Sequence, residues 1–310
     1  MIEFKKIIQN KKEWDFFVNN HPKGRFEHKI AFINFLLENK RKVKNYDILQ
    51  DNKKIGIISL IKEKKLFFKR YSSQGMLLNE KINRKEVLNE IKKKFKNVNY
   101  IKINNFKTKI SKNKIVPATF ILNVKNKSLE EIFNSKLESR AKRAIKKAIK
   151  NKLKIKISNS TEELEKFYPI YLKKMKEFKN IPYSLNSLKK LIKNKEYTIF
   201  NVFLKNKVIA GGTMMIYKNM ITNHLASSDN QYLNLSPNNF LYYQMIKFAK
   251  ENNLNFVNYG PSLRKDNVAK FKISMGGKPI EFEEHIIINY LMYKLFSILS
   301  FISLKLKKII

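Results

Sequence analysis

Two rounds of the same alternation run along this chain, and nothing else in it constrains the fold as tightly. Each round combines strand-like stretches, a hairpin and helical stretches whose apolar residues recur at helical spacing. Such an order fits mixed layers of helix and sheet, the α/β or α+β class. In the first round, Ile2 to Ile8 reads as a strand and Lys11 to Asn20 as a short helix with Trp14 on its core side. Phe26 to Glu38 reads as a second helix. Tyr46 to Leu49 and Ile55 to Ile61 flank Asp51-Asn52-Lys53, a hairpin turn, and Leu66 to Tyr71 extends the meander. Arg84 to Phe95 is helical, and Val98 to Ile103 is a further strand.

The second round opens at Ser160 to Glu163, whose spacing fits a capping box for a helix reaching toward Phe178. Pro169 would kink that helix. Tyr197 to Leu204 and Val208 to Tyr217 form a hairpin across Lys205-Asn206, and Met220 to Ser227 adds a third strand. Ser236-Pro237 supplies an N-cap with proline at the first helical position of a helix running to about Glu251. Asn255 to Tyr259 then returns as a strand. The repetition predicts two related domains, over residues 1–152 and 153–288, with an amphipathic helix over 289–310. The first domain would include a basic helix over 128–151.

That helix stands out. Ser128 and Glu131 form a capping box, and Leu137, Ala141, Ala144 and Ala148 make an apolar stripe. Lys136, Arg140, Arg143 and Lys147 share a neighbouring face, and no acid occurs between Glu138 and Glu162. Two of only seven arginines sit here. The planar arginine fork suits phosphate in a way that lysine does not imitate. The face reads either as a solvated surface or as a phosphate-binding one.

Composition sets limits on the chemistry. The chain has 310 residues, 43% of them hydrophobic, which is enough for one large core or two smaller ones. It contains no cysteine, which excludes disulfides, thiol catalysis and Cys-ligated zinc. His21, His28, His224 and His285 have no metal-ligand spacing, so no metal is expected. The chain also lacks GxSxG, GxxxxGK[ST] and GxGxxG, and no resident cofactor is expected. The start, MIEFKKIIQNKKEW, has no apolar h-region, which points to the cytosol. The net charge is +40, from 65 Lys and Arg against 25 Asp and Glu. A coding bias toward A and T enriches Lys, Asn and Ile without selecting a partner. The resulting field still attracts polyanions, either nucleic acid or an anionic membrane.

From residue 116 onward an ordered set of segments carries a resemblance. Val116-Pro117-Ala118-Thr119-Phe120 precedes the helix with Arg140 and Arg143. Then come Phe167-Tyr168-Pro169, Ile181-Pro182-Tyr183-Ser184, Ala210-Gly211-Gly212 and Ser236-Pro237-Asn238-Asn239-Phe240-Leu241. Last are Val257-Asn258-Tyr259-Gly260-Pro261-Ser262, Val268-Ala269-Lys270-Phe271-Lys272 and Met275-Gly276-Gly277. Over about residues 116–285 this resembles the Fem-type aminoacyltransferases of peptidoglycan synthesis and the wider FemAB-like branch of the GNAT acyltransferases. The first 100 residues resemble them loosely.

The resemblance implies two tandem GNAT-like domains with a substrate cleft between them. It implies transfer of an amino acid from aminoacyl-tRNA to an amine of a nucleotide- or lipid-linked peptidoglycan precursor. By family position, Lys272 would stabilise the tetrahedral oxyanion, with Phe271 shaping the wall beside it. Arg140, Arg143, Tyr259, Asn238 and Asn79 would bind substrate. Asn79 stands where relatives carry an aspartate, which puts a dedicated carboxylate base in doubt, although Glu80 is adjacent. The glycine-rich [QR]xxGx[GA] loop that holds the CoA pyrophosphate in ordinary GNATs corresponds to Asp229 to Asn239, which has no glycine. Pro237 also lacks an N–H donor, so acetyl-CoA is disfavoured as donor. Two alternatives stay open. One is acylation of an amino sugar or other amine in surface-polysaccharide synthesis, from an acyl-thioester. The other is a non-enzymatic basic protein that binds nucleic acid or membrane. The amphipathic 289–310 stretch would dock on the protein or lie at the inner face of an anionic membrane, and a membrane span is marginal.

Overall fold

The computed structural model describes residues 1–7, 11–63, 69–104, 117–263, 266–281 and 284–292, together with 294, 295, 298 and 299. The chain begins with β1 (Ile2–Lys6), α1 (Lys11–Asn20) and α2 (Ile30–Glu38). A 3-10 turn over Phe26–His28 precedes α2, so the long helix expected from Phe26 is broken. The hairpin β2 (Lys42–Gln50) and β3 (Lys53–Glu63) turns at Asp51 and Asn52, both at positive φ, which Asp and Asn tolerate better than most residues. β4 (Arg70–Ser73), β5 (Met76–Leu78), α3 (Arg84–Lys94) and β6 (Tyr100–Ile103) follow.

The chain then forms β7 (Pro117–Asn123), α4 (Leu129–Lys136), α5 (Ser139–Lys150), β8 (Lys154–Ser158), α6 (Thr161–Glu177) and α7 (Leu185–Ile192). The hairpin β9 (Tyr197–Leu204) and β10 (Lys207–Tyr217), β11 (Met220–Ser228), α8 (Pro237–Glu251) and β12 (Phe256–Leu263) complete the second round. α9 (Asn267–Ser274), β13 (Lys278–Glu281) and β14 (Glu284–Ile287) close it.

Two sheets result, ordered β1-β2-β3-β4-β6-β14, with β5 on β3, and β8-β9-β10-β11-β12-β7-β13. Each sheet has one parallel pair bridged by a helix, β4 with β6 across α3 and β11 with β12 across α8. Each parallel pair is flanked by an antiparallel strand, β14 against β6 and β7 against β12. The topology therefore repeats even though the sequence hardly does. The core of the first unit gathers Tyr46, Ile48, Leu60, Val87, Ile91 and Ile101. That of the second gathers Phe120, Leu122, Ile145, Phe200, Leu241 and Met245.

The boundary differs from the expected break at 152/153. One unit comprises residues 1–106 with 283–310, and the other 107–282. The reason is strand pairing: β7 bonds to β12 and β13, which carries the basic segment behind it into the second unit. That segment is two helices. Its chain breaks at Leu137, where ψ is 139°, and the Glu138 N–H donates to the Ser274 carbonyl at 2.9 Å. Lys136 thus belongs to α4 and does not share a helix face with Arg140. Most of the expected helix over 289–310 lies outside the described residues. Among the described residues, no helix is long and apolar enough to cross a membrane.

Candidate active site

β11 and β12 pair for three residues only, from Met220–Phe256 to Thr222–Asn258. Beyond that point each strand bonds to its outer neighbour: β11 to β10 as far as Ser228, and β12 to β7 as far as Leu263. The two parallel strands therefore fork. The register of β12 against β7 shifts between Asn258 and Pro261, and this bulge re-aims the chain at the fork. Gly260 sits in the bulge at φ 78°, and a Cβ there would lie 3.2 Å from the Asn223 carbonyl oxygen across the fork. The Asn258 side chain holds the bend, accepting from the Gly260 N–H at 3.0 Å and from the Thr119 hydroxyl.

Lys272 reaches this bend from α9. Its side chain is 3% exposed, and Nζ donates to the carbonyls of Gly260 at 3.0 Å and Pro261 at 2.9 Å. The ammonium also lies 5.7 Å from the centre of the Phe120 ring. Burial pushes its pKa down to about 8, against a smaller opposing pull from Asp266. An ammonium has three donors, and among the described residues the third has no protein acceptor. A buried cation held by carbonyls rather than by a carboxylate is costly for stability alone, which marks it as a functional candidate.

Phe271 is half-buried and meets Tyr242 edge-on at 5.0 Å. Tyr259 does not fit the substrate-binding role. It is fully buried, and its hydroxyl donates to the Met275 carbonyl at 2.9 Å, tying β12 to the end of α9. Asn238, in the first turn of α8, donates to Ser228 Oγ at 3.1 Å at the tip of β11. Arg140 is exposed. Its guanidinium pairs with Glu138 at 2.9 Å and donates to the Lys270 carbonyl at 2.6 Å, two residues from Lys272. Arg143 is exposed farther along α5. Asn79 lies in the first unit, exposed after β5, with its N–H on the Ile55 carbonyl.

The helix start beyond β11 departs from expectation. Ser236 occupies the N-cap position of α8, but its backbone is left-handed (φ 60°, ψ 41°) and its side chain makes no cap bond. Pro237 follows at the first helical position. The first turn is thus short of one N–H donor and of the usual capping geometry. Ser160 makes only half of its expected box. It caps the Glu163 N–H at 3.2 Å, while the Glu163 carboxylate instead takes Lys156, Lys166 and Asn201.

Several residues at the fork were not singled out from the sequence. Asn223 Oδ1, Ser227 Oγ and Ser262 Oγ are buried without a hydrogen-bond partner among the described residues, and all three stand on the diverging strands. Asn223 donates to the Tyr242 hydroxyl at 3.3 Å. His224 lies at a register shift of β11 against β10, with Nδ1 2.6 Å from the Tyr197 hydroxyl. Burial pushes its pKa down to about 4, which keeps the ring neutral at physiological pH. No sequence spacing signals these residues, because their proximity depends on where two strands stop pairing. Among the described residues, no cluster of His, Asp and Glu could hold a metal ion.

No protein-family model matches the chain, and no curated protein matches it by sequence. Solved structures do resemble it. A crystal structure of FemX superposes with a TM-score of 0.69 at 16% identity, covering 94% of this chain and 99% of FemX. A tandem GNAT protein of the clavulanic acid biosynthesis pathway gives 0.58 at 7%, covering 92% and 98%. The C-terminal domain of a putative lysylphosphatidylglycerol synthetase from Agrobacterium fabrum gives 0.60 at 10%, covering 90% and 93%. Identities this low speak for the fold alone, and the fold they establish is a pair of GNAT-type units in tandem.

Proposed function

We propose that this protein is an N-acyltransferase of the Fem type. It would move an amino acid from aminoacyl-tRNA to an amine of a peptidoglycan precursor carried on a nucleotide or lipid pyrophosphate. The observation that carries this reading is Lys272, a buried ammonium fixed by two backbone carbonyls at the forked strands of a GNAT-type unit.

In the reaction, the acceptor nitrogen, once deprotonated, attacks the ester carbonyl carbon. The carbonyl oxygen takes the negative charge, the attacking nitrogen gives up a proton, and the ester C–O bond then breaks as the sugar oxygen takes up a proton and leaves as the tRNA hydroxyl. An activated ester and an amine need alignment and oxyanion stabilisation more than a covalent intermediate. The third donor of Lys272 supplies that stabilisation, and the carbonyls of Gly260 and Pro261 hold it in place beforehand. Phe271 and Tyr242 wall the site. Arg140 and Arg143 offer forks for phosphate. The start of α8, with Pro237 at its first position and left-handed Ser236 before it, is a poor cradle for the pyrophosphate of CoA, which supports an RNA-borne donor.

The test is transfer by the purified protein from a pool of charged tRNA to a nucleotide-linked peptidoglycan precursor, read by the mass gain of one aminoacyl residue. A parallel reaction contains acetyl-CoA and no tRNA. Mass gain only with charged tRNA is the expected result. Turnover with acetyl-CoA alone would overturn the reading in favour of a thioester-dependent enzyme.

A further inference from the structure

α5 presents two faces of opposite character. Ala141, Ile145 and Ala148 are buried in the core of the second unit. At 100° per residue, Arg140, Arg143, Lys146, Lys147 and Lys150 fill an arc of about 120° on the far side. Arg143, Lys146, Lys147 and Lys150 are all exposed. Elsewhere in this unit some lysines find carboxylates: Lys156 and Lys166 pair with Glu163, Lys174 with Glu177, and Lys189 with Glu165. The four on α5 do not, among the described residues, and the sequence has no acid between Glu138 and Glu162.

The dimensions select the partner. Arg140 to Lys150 spans about 15 Å of helix. A single pyrophosphate would engage one or two of these side chains. A nucleic-acid double helix presents a charge about every 1.7 Å of its axis and would engage all of them. A membrane interface fits poorly, because an interfacial helix needs its apolar face free and that of α5 is spent in the core. Unstacked bases fit poorly too, since α5 carries no aromatic residue on which they could stack. The arc also begins next to the reaction site: Arg140 bonds to the Lys270 carbonyl on the helix that carries Lys272.

We infer that this face of α5 docks the sugar-phosphate backbone of a structured RNA, namely the stem of the donor tRNA. The inference rests on the aminoacyl-tRNA reading above, and it assigns the phosphate that Arg143 meets to the donor.

The experiment measures binding of deacylated tRNA to the full chain by fluorescence anisotropy across a salt series. The test variant combines Arg143→Gln, Lys146→Gln, Lys147→Gln and Lys150→Gln, which keep helix propensity and leave the core face untouched. The control removes the same charge from the first unit, through Lys85→Gln, Lys92→Gln, Lys94→Gln and Lys96→Gln. The α5 variant should bind at least about tenfold more weakly at 0.1 M salt. Its plot of log affinity against log salt should be shallower by about 3, at roughly 0.7–0.9 per lost phosphate contact. The control should lose less than about threefold. Equal losses in both variants would reduce the effect to net charge and overturn the inference. So would unchanged tRNA binding with weaker binding of the nucleotide-linked precursor. Transfer kinetics separate the two readings. An unchanged KM for aminoacyl-tRNA in the α5 variant sinks the docking surface while the enzyme reading stands. Selective loss of tRNA binding, in a protein that transfers from no aminoacyl-tRNA, does the reverse.

Discussion

Replacing Lys272 with Met tests whether a buried cation is kept at the fork for chemistry. Met preserves most of the apolar stem and deletes the ammonium. Two stability terms then oppose each other. The folded-state pKa of about 8, against the ordinary 10.5, means that holding the charged form at neutral pH costs about 3 kcal/mol, and the variant escapes this cost. In exchange, the Gly260 and Pro261 carbonyls lose their donor, at about 1–3 kcal/mol each. The terms nearly cancel, so Lys272→Met should fold with a stability within a few kcal/mol of wild type. The pH dependence is sharper. Because the folded pKa lies below the unfolded one, the unfolded chain binds more protons between about pH 8 and 10.5. Wild type therefore gains stability as pH rises through that window, and the variant does not. The difference in unfolding free energy, wild type minus variant, should increase by roughly 2 kcal/mol from pH 7 to pH 10 in urea melts, with the other lysines cancelling. Turnover should fall about 100–1,000-fold with substrate binding nearly unchanged, and Lys272→Arg should rescue poorly. A pH-independent difference would refute the buried-ammonium argument. A rate within about twofold of wild type would refute the catalytic one.

Three further outcomes follow from the second unit. Burial works against ionisation of Glu163, but hydrogen bonds from Lys156, Asn201 and Lys166 outweigh it and hold the carboxyl at about 2. Its stabilisation, up to about 3 kcal/mol, is full above about pH 4.5 and lost as pH falls toward 2, so Glu163→Gln should flatten the acid limb followed by circular dichroism. An unchanged acid limb would contradict that network. Gly260→Ala forces a side chain into the left-handed region at φ 78° and against the Asn223 carbonyl, and should cost at least about 1 kcal/mol in urea melts. Wild-type stability would show that the bulge relaxes. Calorimetry with acetyl-CoA should give a Kd weaker than about 10 µM, or about −7 kcal/mol, and tighter binding would contradict the reading of the α8 start.

Much of the second unit was legible because its signals are local. The β9–β10 hairpin, β11 and α8 lie within a residue or two of where periodicity and turn chemistry put them. The Ser128–Glu131 box forms in full, with the Glu131 carboxylate on the Ser128 N–H. What the sequence could not convey depends on pairing at a distance. Nothing within residues 117–123 names the strands that β7 pairs with, and the misplaced domain boundary came from that pairing. The break between α4 and α5 is dictated from outside, by the Ser274 carbonyl and by the close approach of Lys136 to Gly276, where a Cβ would stand 3.0 Å from the Lys136 carbonyl. Tyr259 was expected at the substrate from the resemblance of its segment, but its ring lies inside the core, and its hydroxyl is already spent. Lys272 became a candidate by resemblance alone. Among 58 lysines, nothing local in the sequence distinguishes it.

The strand that completes the first sheet, β14, is separated from its partner β6 by the whole second unit. On the ribosome, β6 therefore emerges with one edge unpaired and waits through the synthesis of about 180 residues, at roughly 5–20 residues per second. The second unit has all of its strands in one continuous stretch, and its first and last strands, β7 and β13, lie side by side. It can close before the first unit does, which reverses the usual N-terminal-first order for a tandem chain. The nascent chain thus carries an open β edge for about 9–36 s at those rates, and in that interval it is most exposed to aggregation and most dependent on chaperones.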